Sequence, residues 1–182
     1  IVDQLPPPAG RTMVRDKEPE EPCYPKQELM GIVPTDKRVP YDMTEVIARI
    51  VDGSRFLAFK TEFGTETVCG HCYIDGFRCG IITNNGPITP QGALKSAQFL
   101  QLCDQSNTPM LFLHNTTGFL VGVEAEQMGQ VKHGSKMIQA VANFRPPKVT
   151  IVVGNSYGAG NYAMCSHSLK PSFCFSWPTA RT

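Results

Sequence analysis

The sequence predicts an α/β domain whose strands are covered by helices. Three observations carry that prediction. Two β-rich runs, residues 67–74 and 77–83, meet at Asp75-Gly76, the strongest short hairpin signal. Thr89-Pro90 reads as the N-cap and first residue of a helix. Beyond it, helical patterns alternate with short apolar or β-branched runs, in the order hairpin, helix, strand, helix, strand, helix, strand.

Residues 1–40 stand apart. Eight of the 15 prolines fall at or before Pro40, and the charged run from Arg15 to Pro22 is broken by Pro19 and Pro22. Proline lacks an N–H and clashes with the preceding turn, so this run holds neither a helix nor a central strand. Residues 1–40 are expected to be a linker or extended arm, and residues 41–182 the folded domain. Asp42 can cap a helix carrying Val46, Ile47 and Ile50, with Glu45 near its start and Asp52-Gly53 at its end. The helix from Pro90 carries Leu94, Ala97 and Leu100 or Gln101 and ends near Asn107. Residues 110–113 form a short buried strand. Met128, Val131, Ser135, Ile138 and Ala142 then recur at helical spacing, and Pro146-Pro147 stop that helix. Residues 149–153 are a β-branched strand running into a helix through Ser156–Gly160, and residues 173–177 are a last strand.

Composition excludes several classes of function. Lys plus Arg is 17 and Asp plus Glu is 16, a net charge of +1 that gives no nucleic-acid or polybasic membrane footprint. No apolar run approaches the roughly 20 residues of a membrane span. The first residues, from Ile1, look like neither a signal peptide nor a natural start. Seven cysteines without framework spacing point to reduced thiols inside a cell.

The most informative segment runs from Val149 through Gly154, Ser156, Tyr157, Gly158, Ala159, Gly160 and Asn161. A buried strand passes through small residues into a helix. The first amides of a helix have no intrahelical partner and can hold an oxyanion without a charged side chain. The same pattern also suits a tight turn whose glycines serve packing alone. A second turn, His114-Asn115-Thr116-Thr117-Gly118-Phe119, also follows a strand and precedes a helix. Two such turns after adjacent strands would share the sheet edge where α/β proteins bind ligands, although ordinary loop chemistry explains the second one alone. Asn115-Thr116-Thr117 matches a glycosylation sequon, which the intracellular thiols argue against.

Cys69, His71 and Cys72, with Cys79 beyond, are the best metal candidates. Cys69 and Cys72 lie three apart in a strand and so face opposite sides, and no second pair follows at zinc-site spacing, so no metal is expected. His114, His133 and His167 adjoin no nucleophile motif, and there is no phosphate-binding loop.

Residues 45–56, Asn84-Asn85-Gly86, Asn115-Thr116-Thr117-Gly118-Phe119, Gly134-Ser135-Lys136-Met137, residues 156–162 and Trp177-Pro178-Thr179-Ala180-Arg181 resemble the carboxyltransferase (β) subunit of biotin-dependent acyl-CoA carboxylases. The methylcrotonoyl-CoA and geranoyl-CoA members look most similar, from about Pro25 to the end. The resemblance implies a crotonase-like (ClpP/crotonase) ββα spiral, here an incomplete C-terminal carboxyltransferase domain preceded by an inter-domain arm. The acyl-CoA half of the site would lie in an N-terminal domain outside this sequence.

The resemblance also implies roles. Carboxybiotin, on a partner carrier, delivers its carboxyl group to an acyl-CoA, for which 3-methylcrotonoyl-CoA is the expected type. The amides of Ala159 and Gly160 would stabilise the ureido oxygen, and the released biotin would take the substrate proton, so no protein base is needed. Gly118, Phe119, Tyr157, Gly158 and Asn161 would border the biotin pocket. Expected partners are the biotin carboxylase and carrier (α) subunit and other β subunits, with no nucleic acid, membrane or metal. The expected setting is the mitochondrial matrix in a eukaryote, within leucine catabolism, or the bacterial cytoplasm. Departures at Glu124–Gln130, His133, Ser135, His71 and Cys72 bear on substrate choice. Two alternatives compete. The chain alone could be an inactive structural or oligomerisation module, since half a site cannot turn over and an open sheet invites pairing. A crotonase-type hydratase or isomerase would need paired carboxylates, for which Glu124 and Glu126 are the only candidates near the long helix.

Overall fold

The computed structural model describes residues 14–36 and 39–182. The remainder of the expected arm lies outside the described residues. One six-stranded sheet carries the fold, its strands ordered as in the chain. β1 (Leu57–Ala58), β2 (Thr67–Ile74) and β3 (Phe77–Asn84) are antiparallel; β3, β4 (Met110–Thr116), β5 (Lys148–Ser156) and β6 (Phe173–Ser176) are parallel. Ile74 pairs with Phe77 across Asp75-Gly76, whose φ values of 51° and 75° give the two positive angles a tight hairpin demands.

Helices join the parallel strands. α3 (Pro90–Gln105) begins where expected: the Thr89 side chain accepts from Gly92 N, and Pro90 occupies the first turn. α4 (Val123–Gln127) and α5 (Gln130–Asn143) link β4 to β5, and α6 (Gly158–Ala163) links β5 to β6. Ile82, Phe99, Leu100, Phe112, Met137, Val141 and Met164 pack into a core that α3 and α5 share with one sheet face. The other face carries Ile81, Leu111, Leu113 and Val153, covered by Met43, Val46 and Ile47 of α2 (Met43–Ala48). Asp42 caps α2 by accepting from Thr44 N. The helix stops at Ala48, short of the expected Ile50, where Arg49 turns to pair with Glu28 and Glu45. Asp52 serves the hairpin instead: its carboxylate accepts from Asp75 N at 2.9 Å and Gly76 N at 2.7 Å.

The described arm lies against this body. Asp16 N donates to Gly76 O, Arg15 pairs with Asp75, Glu20 with Arg55, and Val33 is buried. A 3-10 turn (Lys26–Glu28) running into one α-helical turn, α1 (Leu29–Ile32), interrupts its course.

The expected face of α5 is corrected. Its buried residues are Gln130, Gly134, Met137 and Val141, whereas Val131 is 72% exposed and Met128, just before it, is 46% exposed. Of the stripe at helical spacing, Val131, Ser135 and Ala142 look outward, and Ile138 packs partly against the core. Gly134 faces inward because the Phe119 ring lies over it, 3.2 Å from where a Cβ would stand.

Candidate functional site

The parallel pairing of β4 and β5 brings their C-terminal turns together. Thr116 pairs with Ser156 after a register shift beyond His114. Gly118, at φ 118°, takes a conformation few other residues adopt, and its N–H donates to Thr116 Oγ1 at 3.2 Å. Its carbonyl accepts from Ile88 N at 2.8 Å. From β5, Tyr157 opens α6 without a side-chain cap, and the first helical bond is Asn161 N to Tyr157 O at 3.1 Å. The amides of Gly158, Ala159 and Gly160 precede that bond and have no intrahelical acceptor. Ala159 is exposed and Gly160 is buried. A Cβ on Gly160 would stand 2.6 Å from Gly118 Cα, so the two backbones touch. Beside Gly158, at φ 52°, the space is open for 4 Å.

A buried relay underlies the turn. His114, 0% exposed on β4, places Nδ1 2.7 Å from Ser156 Oγ and Nε2 2.5 Å from Met164 O. Asn161 Nδ2 donates to Ser156 Oγ at 2.8 Å. Burial drives the His114 pKa down to about 4, so the imidazole is neutral at pH 7. Tyr157 donates its hydroxyl to Asn155 Oδ1 at 3.0 Å. The partners of these turns are backbone, hydroxyl, amide and imidazole groups. Such a site favours an oxygen that gains negative charge during reaction over a ligand already charged.

The whole chain, residues 1–182, matches the family model described as "Carboxyl transferase domain". The chain belongs to the carboxyl transferase domain family. It is similar to the mitochondrial methylcrotonoyl-CoA carboxylase beta chain of Dictyostelium discoideum, 49% identical over 164 residues, 90% of this chain and 28% of that relative. It is also similar to the biotin-dependent 3-methylcrotonyl-coenzyme A carboxylase beta1 subunit of Mycobacterium tuberculosis, 50% identical over 161 residues, 88% of this chain and 30% of that one. Among solved structures, the beta subunit of geranyl-CoA carboxylase from P. aeruginosa superposes with a TM-score of 0.88 at 62% identity, over 100% of this chain and 34% of that one. The transcarboxylase 12S hexamer with hydrolyzed methylmalonyl-coenzyme A bound superposes with a TM-score of 0.89 at 32% identity, over 98% of this chain and 36% of that one. The carboxyl transferase domain thus has the crotonase-like α/β architecture expected, and the chain spans about a third of the length of the relatives it matches.

Within this carboxyl transferase domain, Gly118, Phe119, Tyr157, Gly158, Ala159, Gly160 and Asn161 gather at one sheet edge. The Asn161 amide points back to Ser156. The thiols lie elsewhere. Cys69 and Cys72 sit in the cores on opposite sheet faces, as the strand period requires, and the described residues hold no group of three or more His, Cys, Asp or Glu placed to bind a metal. Among the described residues no helix is long and apolar enough to cross a membrane. The sequence reading missed the pairing of His114 with Ser156. Forty-two positions separate them, and only the β4–β5 pairing brings them together.

Proposed function

We propose that this chain supplies the biotin-side half of a carboxyltransferase active site, in which a carboxyl group passes from carboxybiotin to an acyl-CoA. The observation that carries the reading is the α6 turn itself: its first amides, Ala159 and Gly160 among them, lack a side-chain cap and an intrahelical acceptor, Gly160 packs against Gly118, and the space beside Gly158 is open. That donor set fits a ureido group: neutral N–H donors suit a neutral oxygen that becomes anionic as the carboxyl leaves. Biotin, when bound, supplies the ureido nitrogen that carries and releases the carboxyl. The chain's part is positional and electrostatic. Ala159 and Gly160 donate to the ureido oxygen, Gly118 keeps the backbone approach free of a side chain, and Phe119, seated on Gly134, walls the turn with apolar surface.

The relatives named for methylcrotonoyl-CoA and geranyl-CoA support a branched enoyl-CoA such as 3-methylcrotonoyl-CoA as acceptor. A biotin-carrying α subunit and further β subunits are the partners this reading requires, in the mitochondrial matrix or the bacterial cytoplasm. The full-length subunit, assembled with its biotin-carrying partner, should carboxylate 3-methylcrotonoyl-CoA or geranoyl-CoA. Failure with every acyl-CoA offered would overturn the reading.

A second reading, a non-catalytic assembly module, draws on β6, where Phe173 and Phe175 are 62% and 53% exposed. It predicts that the isolated chain self-associates and binds no acyl-CoA; turnover measured with the isolated chain would overturn it.

A further inference from the structure

The two turns of the site are held by more than their backbones. The Met164 carbonyl can only accept, so the proton of His114 resides on Nε2 and Nδ1 is an acceptor. The Ser156 hydroxyl must therefore donate to Nδ1, and its oxygen accepts from Asn161 Nδ2. All the donors point one way: Asn161 to Ser156, Ser156 to His114, His114 to Met164 O. Ser156 and Asn161 flank the three amides of Gly158, Ala159 and Gly160, so their side-chain bond closes a short loop around them. Met164 lies just past the end of α6, where its own N–H donates to Gly160 O at 3.1 Å. One imidazole thus ties down both ends of a six-residue helix. The same imidazole sits on β4, four positions before Gly118, against which Gly160 rests.

We propose that His114 is a positioning residue for the amide turn, bracing α6 at Ser156 and Met164 so that Ala159 and Gly160 hold their aim relative to Gly118. The inference rests on the proposed role of that turn in carboxyl transfer. His114 is no base in this account. Both ring nitrogens are engaged and no ring surface reaches solvent. What the brace needs is one acceptor and one donor joined through a single carbon. A glutamine amide supplies both, and a leucine supplies neither.

The test uses the full-length subunit with His114→Leu, His114→Gln and Ser156→Ala. Two quantities are read: hydrogen exchange of the bonded amides of α6, Asn161 N and Met164 N, and carboxylation kinetics with the biotin-carrying partner. His114→Leu should speed exchange there at least tenfold and lower kcat on the order of 10- to 100-fold, with KM for acyl-CoA unchanged. His114→Gln should restore both, which loss of a core imidazole by itself does not predict. Ser156→Ala should act in the same direction as His114→Leu and serves if the leucine variant does not fold. Unchanged exchange at Asn161 and Met164 in a folded His114→Leu or Ser156→Ala subunit would overturn the brace. So would failure of His114→Gln to restore it. Faster exchange with kcat intact would leave the brace standing and overturn the catalytic role of the turn.

Discussion

Gly160→Ala probes the contact on which the site is built. The added Cβ would stand 2.6 Å from Gly118 Cα and 3.1 Å from Gly118 C, both backbone atoms that no rotamer change can clear. Carbon atoms rest at roughly 3.5–4.0 Å, so the two turns must part by about 1 Å. Overpacking of this kind costs about 1–3 kcal/mol. Alanine returns up to about 1 kcal/mol as a better helix former than glycine. The net loss of stability is therefore about 0–3 kcal/mol. The effect on rate is larger, because a displacement near 1 Å costs on the order of 100-fold in a reaction that depends on placement. Gly158→Ala is the control for stability alone, since Gly158 borders the proposed pocket. Its Cβ meets nothing within 4 Å, and its cost is the left-handed backbone at φ 52°, about 1–2 kcal/mol. Denaturant unfolding of both variants and steady-state carboxylation by Gly160→Ala, in the full-length subunit, separate the terms. Turnover of Gly160→Ala at the level of wild type, in a folded subunit, would refute the reasoning.

Three further outcomes follow from the geometry. His114 has a folded pKa of about 4 against 6.5 when unfolded, so the unfolded chain binds the extra proton and stability falls as pH drops from about 6.5 to 4. That gap corresponds to about 3 kcal/mol, and His114→Gln should flatten the fall in a pH series of unfolding curves; an unchanged slope would contradict it. Asp52→Ala removes the acceptor of two hairpin amides and should destabilise by about 1–3 kcal/mol in urea, whereas no change would mean that water replaces the carboxylate. Cys23 and Cys174 are exposed, while Cys69 and Cys103 are buried and the Cys69 thiol is pushed up to about 12. A maleimide should therefore label Cys23 and Cys174 first and reach Cys69 and Cys103 only on unfolding, read by peptide mass.

Most of the fold is legible in the sequence where one residue type answers one backbone demand. Asp75-Gly76 supplies two positive φ values, Thr89-Pro90 a cap and a fixed φ, and Pro146-Pro147 an end to α5. The two turns were legible for the same reason, since only small residues allow Gly118 and Gly160 to meet. The face of α5 was not. Its inward residues include Gln130 and Gly134, which carry no hydrophobic signal, while Val131 lies on the exposed side. Periodicity names a face but not the partner that makes it the inner one. The His114 relay was illegible because it depends on strand register. A lone histidine after a strand reads the same whether it faces solvent or braces a helix. The end of α2 depended on Arg49 finding Glu28, twenty-one positions away, and local propensity cannot weigh such a contact.

The central claim is that a backbone amide of the Ala159-Gly160 turn stabilises charge on the ureido oxygen. Ala159→Pro tests it most directly. The residue is exposed and lies in the first turn of α6, where proline is tolerated and removes one N–H. Circular dichroism would confirm that the full-length subunit remains folded, and single-turnover transfer from carboxybiotin to the acyl-CoA would be timed. The account predicts a rate lower by about 100- to 1,000-fold, the usual effect of losing one such donor. A rate equal to that of the unmodified subunit would contradict it.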